Sequence, residues 1–129
     1  PLWDRVATTD YRFRIGPSFF DRSSAIDAIA QRVETEALTS LQRAARYRGE
    51  VLPPLRRLLD DAEFYRPPTA SVADTHRHCL AALRATVGSF EDIVRGYETN
   101  DAALVERGAA AFQTIATEWT VWAAAKAQL

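Results

Sequence analysis

SVADTHRHCLAALRATVGSFEDIVRGYETNDAALVERGAAAFQTIATEWTVWAAAKA, residues 71–127, sets the architecture of this chain. Val72, His76, Cys79, Leu83, Thr86, Phe90, Ile93 and Tyr97 recur at alternating intervals of four and three. After a short polar break at Thr99-Asn100-Asp101, Val105, Gly108, Phe112, Ile115, Trp119 and Trp122 repeat the rhythm. Only a helix, with ~3.6 residues to a turn, puts residues so spaced on one face. So short a link makes the two helices antiparallel. The stretch reads as a helical hairpin with arms 71–98 and 101–127. Ser71 with Asp74 is the capping pair of the first arm, and Thr99 or Asn100 caps the second.

Upstream, Ile26, Ile29, Val33, Ala37, Leu41 and Ala44 form the stripe of a helix over 23–51, with Gln31, Arg32, Glu34 and Glu36 on its solvated face. Pro53-Pro54 interrupts it, because proline lacks a backbone donor and clashes with the preceding turn. A short helix over 54–64 follows, ended by Arg66-Pro67-Pro68. Residues 1–22 are the least regular. Tyr11, Phe13 and Ile15 alternate with Arg12 and Arg14 at strand period, but no sheet partner is in prospect. They read as an extended arm laying Trp3, Tyr11, Phe13 and Ile15 over the bundle, broken at Gly16-Pro17. The expected fold is a single all-α domain, 1–129. It is an up-and-down helical bundle of three long helices plus one short helix, with an irregular aromatic N-terminal arm.

Composition supports one globular domain: in 129 residues, 47% are hydrophobic and 26% charged, which excludes wholesale disorder. A net charge of −1 offers no steering toward DNA or anionic lipid. Lys126 is the only lysine, and the Arg and Ala bias reads as codon usage of a GC-rich genome. No apolar run reaches the ~18 residues of a membrane span. The absence of Met means a start has been removed. Clipping before Pro1 implies a cytoplasmic protein, and trimming of a leader implies an extracytoplasmic, secreted one. The lone Cys79 excludes an internal disulfide and fits both.

His76-Arg77-His78-Cys79 is the most unusual local string. His76 and Cys79 share the inner face, but zinc wants about four ligands, and only a carboxylate such as Glu118 could add one. The pair is expected to be structural, with no metal and no cofactor. There is no Gly-rich phosphate loop, nucleophile elbow or Glu-x-x-His motif, so no enzyme is expected. Arg43, Arg46, Arg48, Arg56 and Arg57 cluster without a DNA-docking motif and run straight into Asp60, Asp61 and Glu63. They read as a salt-paired surface, with no nucleic acid partner.

One inference about a site follows from the hairpin. A turn at Thr99-Asn100 sets His76 and Cys79 level with Trp119 and Trp122. A first helix antiparallel to the first arm would bring Tyr47 to the same end. Tyr47, His76, Cys79, Trp119 and Trp122 then form one layer, either lining a ligand pocket or filling a wide bundle end. Gly108, on the apolar stripe, marks close helix approach.

From Pro67-Pro68 onward, with His76, Asn100-Asp101 at the turn and the aromatic close at Trp119 and Trp122, the chain resembles small helical bundles of bacterial extracytoplasmic lipoproteins of unknown function. The resemblance implies a cleaved leader and supplies no catalytic residues. The expected function is a non-enzymatic binding or protein-interaction module with an unknown protein or small-molecule partner, acting through the Trp119/Trp122 end and the aromatic arm. A small-molecule or metal-binding bundle centred on His76 and Cys79 is one alternative, and a homodimer-forming structural bundle is the other.

Overall fold

In the computed structural model, which describes residues 2–129, there are four helices and no strand among those residues. Helix α1 covers 2–35 and consists of Leu2–Asp10, one π turn at Tyr11–Ile15, and Gly16–Thr35. Helix α2 covers 40–64 in the same way, with Ser40–Arg46, a π turn at Tyr47–Val51, and Leu52–Phe64. Helices α3 (Ala70–Thr99) and α4 (Ala102–Ala127) are the hairpin. The all-α up-and-down bundle is as expected, but its first half is divided differently.

The expected extended arm is helical from Leu2 onward; Pro1 lies outside the described residues. Tyr11 is fully buried and Ile15 half-buried, whereas Trp3 and Phe13 are 81% and 68% exposed rather than laid over the bundle. The expected helix over 23–51 is also two pieces of two different helices. Its chain break falls at residues 36–39, not at Pro53-Pro54.

The helical N-terminal segment and the unbroken helix at Pro53-Pro54 have one physical cause. In each π turn the residue just before a proline donates its N–H to the tyrosine carbonyl five residues back: Gly16 to Tyr11 and Leu52 to Tyr47. The widened turn carries the carbonyls away from the ring of Pro17 or Pro53, so the helix passes through a residue that would otherwise break it. The inserted residue shifts the apolar stripe. Buried positions in α1 run Tyr11, Gly16, Phe19, Ser23, Ile26, with a step of five where a regular helix has four or three. In α2 the π turn buries both Val51 and Leu52, four and five residues after Tyr47.

The break at 36–39 is made by a capping box. The Thr39 side chain accepts from the Gln42 N–H at 3.1 Å, and the Thr39 N–H donates to Gln42 Oε1 at 3.0 Å. Helix α3 begins at Ala70, and its cap is Thr69 rather than Ser71: the Thr69 side chain accepts from the Val72 N–H. Asn100, in the left-handed region at φ 54°, ends α3, and Asp101 caps α4 through the Leu104 N–H.

Helix α3 is the centre of the bundle, buried along a broad face from Val72 to Gly96 and packed on the other three helices. Helix α4 is different. Only Gly108, Ile115 and Trp122 are buried, seven residues apart, so α4 meets its neighbours along a single line and packs chiefly on α3. A Cβ at Gly108 would lie 2.7 Å from Ile93 Cγ1 and 2.8 Å from the Ser89 carbonyl, which is the close approach expected of it. The Ser89 hydroxyl donates to the Gly108 carbonyl across that contact. The arginine-rich surface is paired between helices: Arg48 with Glu98 at 2.6 Å, Arg46 with Glu36 at 2.6 Å, and Arg56 with Glu91 at 4.0 Å. No helix among the described residues is long and apolar enough to cross a membrane.

Candidate functional site

The five residues of the expected layer separate into two environments. His76 and Trp122 come together through a residue that sequence reasoning placed elsewhere. The Trp122 indole can only donate, and it does so to the Tyr11 hydroxyl at 3.0 Å. The Ala62 carbonyl can only accept, so His76 Nε2, 2.8 Å away, carries the ring proton. His76 Nδ1 is then the acceptor for the Tyr11 O–H, at 2.8 Å. One directed chain, Trp122 to Tyr11 to His76 to Ala62, ties α4, α1, α3 and the C-terminal turn of α2. It also satisfies a helix-end carbonyl.

All of this is dry. Tyr11 and Cys79 are fully buried, His76 is 1% exposed and Trp122 3%. Burial lowers the His76 pKa, partly opposed by its bond to Ala62, and raises that of Tyr11. The Cys79 thiol is pushed up to about 12 by burial, which makes it a small apolar side chain rather than a nucleophile. Both ring nitrogens of His76 are consumed, leaving none for a metal, and the described residues contain no cluster of three or more His, Cys, Asp or Glu able to hold one. This end of the bundle is packed core.

Tyr47 lies elsewhere. Its ring packs on Phe90 (5.5 Å between centroids) and stacks on Tyr97 (6.4 Å), and its hydroxyl donates to Glu34. The relocated chain break explains the difference. Because α2 starts at Ser40 and runs antiparallel to α3, its N-terminal turns face the C-terminal turns of α3, far from His76.

Trp119 is half-buried and shares with Tyr47 the second environment, an open groove. Helices α1 and α4 touch where Tyr11, Gly16 and Phe20 meet Trp119 and Trp122. Phe20 packs edge-on to Trp119 at 5.2 Å and parallel to Trp122 at 5.9 Å. Gly16 permits this contact: a Cβ there would sit 3.1 Å from the Trp122 ring and 2.8 Å from the Tyr11 carbonyl. Past that crossing the two helices do not close on each other, and a cavity of about 670 Å³ opens between them.

Phe90, Ile93, Phe112 and Ile115 make its apolar lining, with Phe90 and Phe112 edge-to-face at 5.4 Å. Phe20 and Trp119 close one end. At the other, Glu34 is held by the hydroxyls of Tyr47 and Tyr97 (3.4 Å for the latter) and by Arg43 Nη1 at 3.7 Å. Burial is the main cause raising the pKa of both tyrosines, and Glu34 adds to it. Asp27 and Gln31 complete the α1 wall. Asp27 as a residue is exposed, yet its carboxyl is desolvated by the groove and its pKa is raised.

Fold and site together define a class: an all-α four-helix bundle with a closed polar tie at one end and a lateral aromatic groove along one flank. No protein family, curated protein or solved structure matches this chain, so function must be argued from the groove itself.

Of the groove residues, sequence reasoning found Trp119 and Tyr47 and missed Phe20, Asp27, Gln31 and Glu34. The missed signals were present. Thr39-x-x-Gln42 is the capping signature that ends α1 before residue 36. Tyr11-Arg12-x-x-Ile15-x-Pro17 recurs as Tyr47-Arg48-x-x-Val51-x-Pro53, and both copies are the π turns.

Proposed function

We propose that this protein is a non-enzymatic binding module whose ligand is a small, largely apolar molecule held in the groove between α1 and α4. The observation that carries the reading is the cavity of about 670 Å³ lined by Phe20, Phe90, Phe112, Trp119 and the two tyrosines. Its size lies within the roughly 300–1,000 Å³ typical of small-molecule sites, and both of its charged groups, Asp27 and Glu34, come from α1. Binding rather than catalysis is favoured because Glu34 is already engaged by Tyr47, Tyr97 and Arg43, and both histidines lie outside the groove. The described groove lining holds no Ser, Thr, Cys, Lys or His, the side chains that most often act as nucleophile or base in acyl and phosphoryl transfer.

Titration with N-phenyl-1-naphthylamine, a neutral dye that brightens in apolar surroundings, tests the reading. Saturable binding with energy transfer from Trp119 is expected. Ala116→Trp places an indole into the groove from the exposed face of α4 and should abolish that binding without lowering Tm. No dye binding to the wild type, or equal binding after the groove is filled, overturns it.

A further inference from the structure

The walls of the groove are chemically unequal, and the inequality points to what the ligand carries. Among the described residues, Asp27 and Glu34 are the only charged side chains lining the cavity, and no Lys or Arg lines it. The two acids sit seven residues apart, two helical turns, with Gln31 between them, so they form one polar strip along α1 about 10 Å long. The facing wall on α4 offers Phe112, Ile115 and Trp119, with no charge at all.

The two acids are not equivalent. Glu34 is spoken for: two tyrosine hydroxyls and Arg43 neutralise it within the fold. Asp27 makes no hydrogen bond or ion pair with any described residue; it stays open to solvent as a residue, while partial burial against the groove raises the pKa of its carboxyl. An unpaired carboxylate beside apolar walls is an unfavourable arrangement that a bound cation relieves. An anionic ligand would meet uncompensated repulsion instead.

Taking the groove to be a ligand site, we infer that its ligand is a cationic amphiphile: a protonated amine seated on Asp27 and Gln31, with an apolar body lying along Phe112, Ile115 and Trp119. An amine of this kind gives the unpaired Asp27 carboxylate a charge-assisted hydrogen bond, and the cavity of about 670 Å³ takes its apolar body.

Three probes of equal chain length separate the outcomes: dodecylamine, dodecanol and dodecanoate. Each displaces N-phenyl-1-naphthylamine from the wild type and from Asp27→Asn at pH 7, below its micelle concentration. Dodecylamine is expected to displace the dye at about tenfold lower concentration than dodecanol, as a charge-assisted bond predicts, and dodecanoate to be weakest. In Asp27→Asn the amine and the alcohol should become equal within about twofold, with the alcohol unchanged. Thermal melts confirm that the variant is folded, and Glu34→Gln should retain the amine preference. An amine no better than the alcohol, or a preference that survives Asp27→Asn, overturns the cationic assignment while the groove stands. Failure of the dye and all three probes to bind the wild type removes the groove reading itself, and this inference with it.

Discussion

Tyr11 shows how much one side chain decides in this protein. Its hydroxyl is both acceptor for Trp122 and donor to His76, so Tyr11→Phe leaves an indole N–H and an imidazole nitrogen buried without partners. Each orphaned group costs about 1–3 kcal/mol. A loss of roughly 2–4 kcal/mol is therefore expected in urea denaturation. His76 adds a pH dependence whose sign follows from its lowered pKa. The unfolded chain takes up a proton near pH 6.5 and the folded ring does not, so the folded state is fully favoured above that pH. Stability should fall as the pH drops from about 6.5 toward the depressed folded value, by at most about 1.4 kcal/mol per pH unit. Urea melts between pH 7.5 and 5 measure it. The same series on His76→Gln should lose that contribution, and an unaltered slope would show that another group is responsible. His76 was legible in the sequence as an inner-face residue. Its neutral, doubly bonded state was not, because Tyr11 and Ala62 reach it from parts of the chain far from it in sequence.

At the scale of the element, the two π turns are built alike but loaded differently. Gly16 stands where a Cβ would press on the Tyr11 carbonyl and the Trp122 ring, whereas Gly49, inside the second turn, has nothing within 4 Å. Gly16→Ala is expected to destabilise by about 1–3 kcal/mol through overpacking. Gly49→Ala should be neutral or stabilise by up to about 1 kcal/mol, since it only removes backbone freedom. Parallel thermal melts compare the pair, and equal effects would mean that the first turn does not depend on that contact. Here the sequence misled through its own logic. Tyr11, Phe13 and Ile15 alternate like a strand, and Pro53-Pro54 looks like a stop, because period and proline rules assume a regular turn. A single inserted residue defeats both.

The whole molecule is asymmetric. Helix α3 packs on every other helix, α4 touches along one line, and Leu2–Asp10 buries no residue. Amide hydrogen exchange should rank them accordingly, slowest in the middle of α3, faster along α4, and fastest in residues 2–10. Protection in α4 equal to that in α3 would show that the groove closes in solution. That the chain is all helical, that 71–127 folds back on itself and that Gly108 lies at a tight crossing were all written in local spacing. Hydrogen bonds and side-chain contacts within a helix join near neighbours, and those leave a periodic trace. Which apolar stripe is covered is another matter. Cys79 and Trp122 ended in core while Trp119, on the same pattern, came to line a groove, and Tyr47 is buried yet lends its ring to the groove wall. Periodicity reports that a helix face is apolar. What lies against that face depends on where the other helices end and turn, and here that was settled by a capping box at Thr39 and two prolines that did not break their helices.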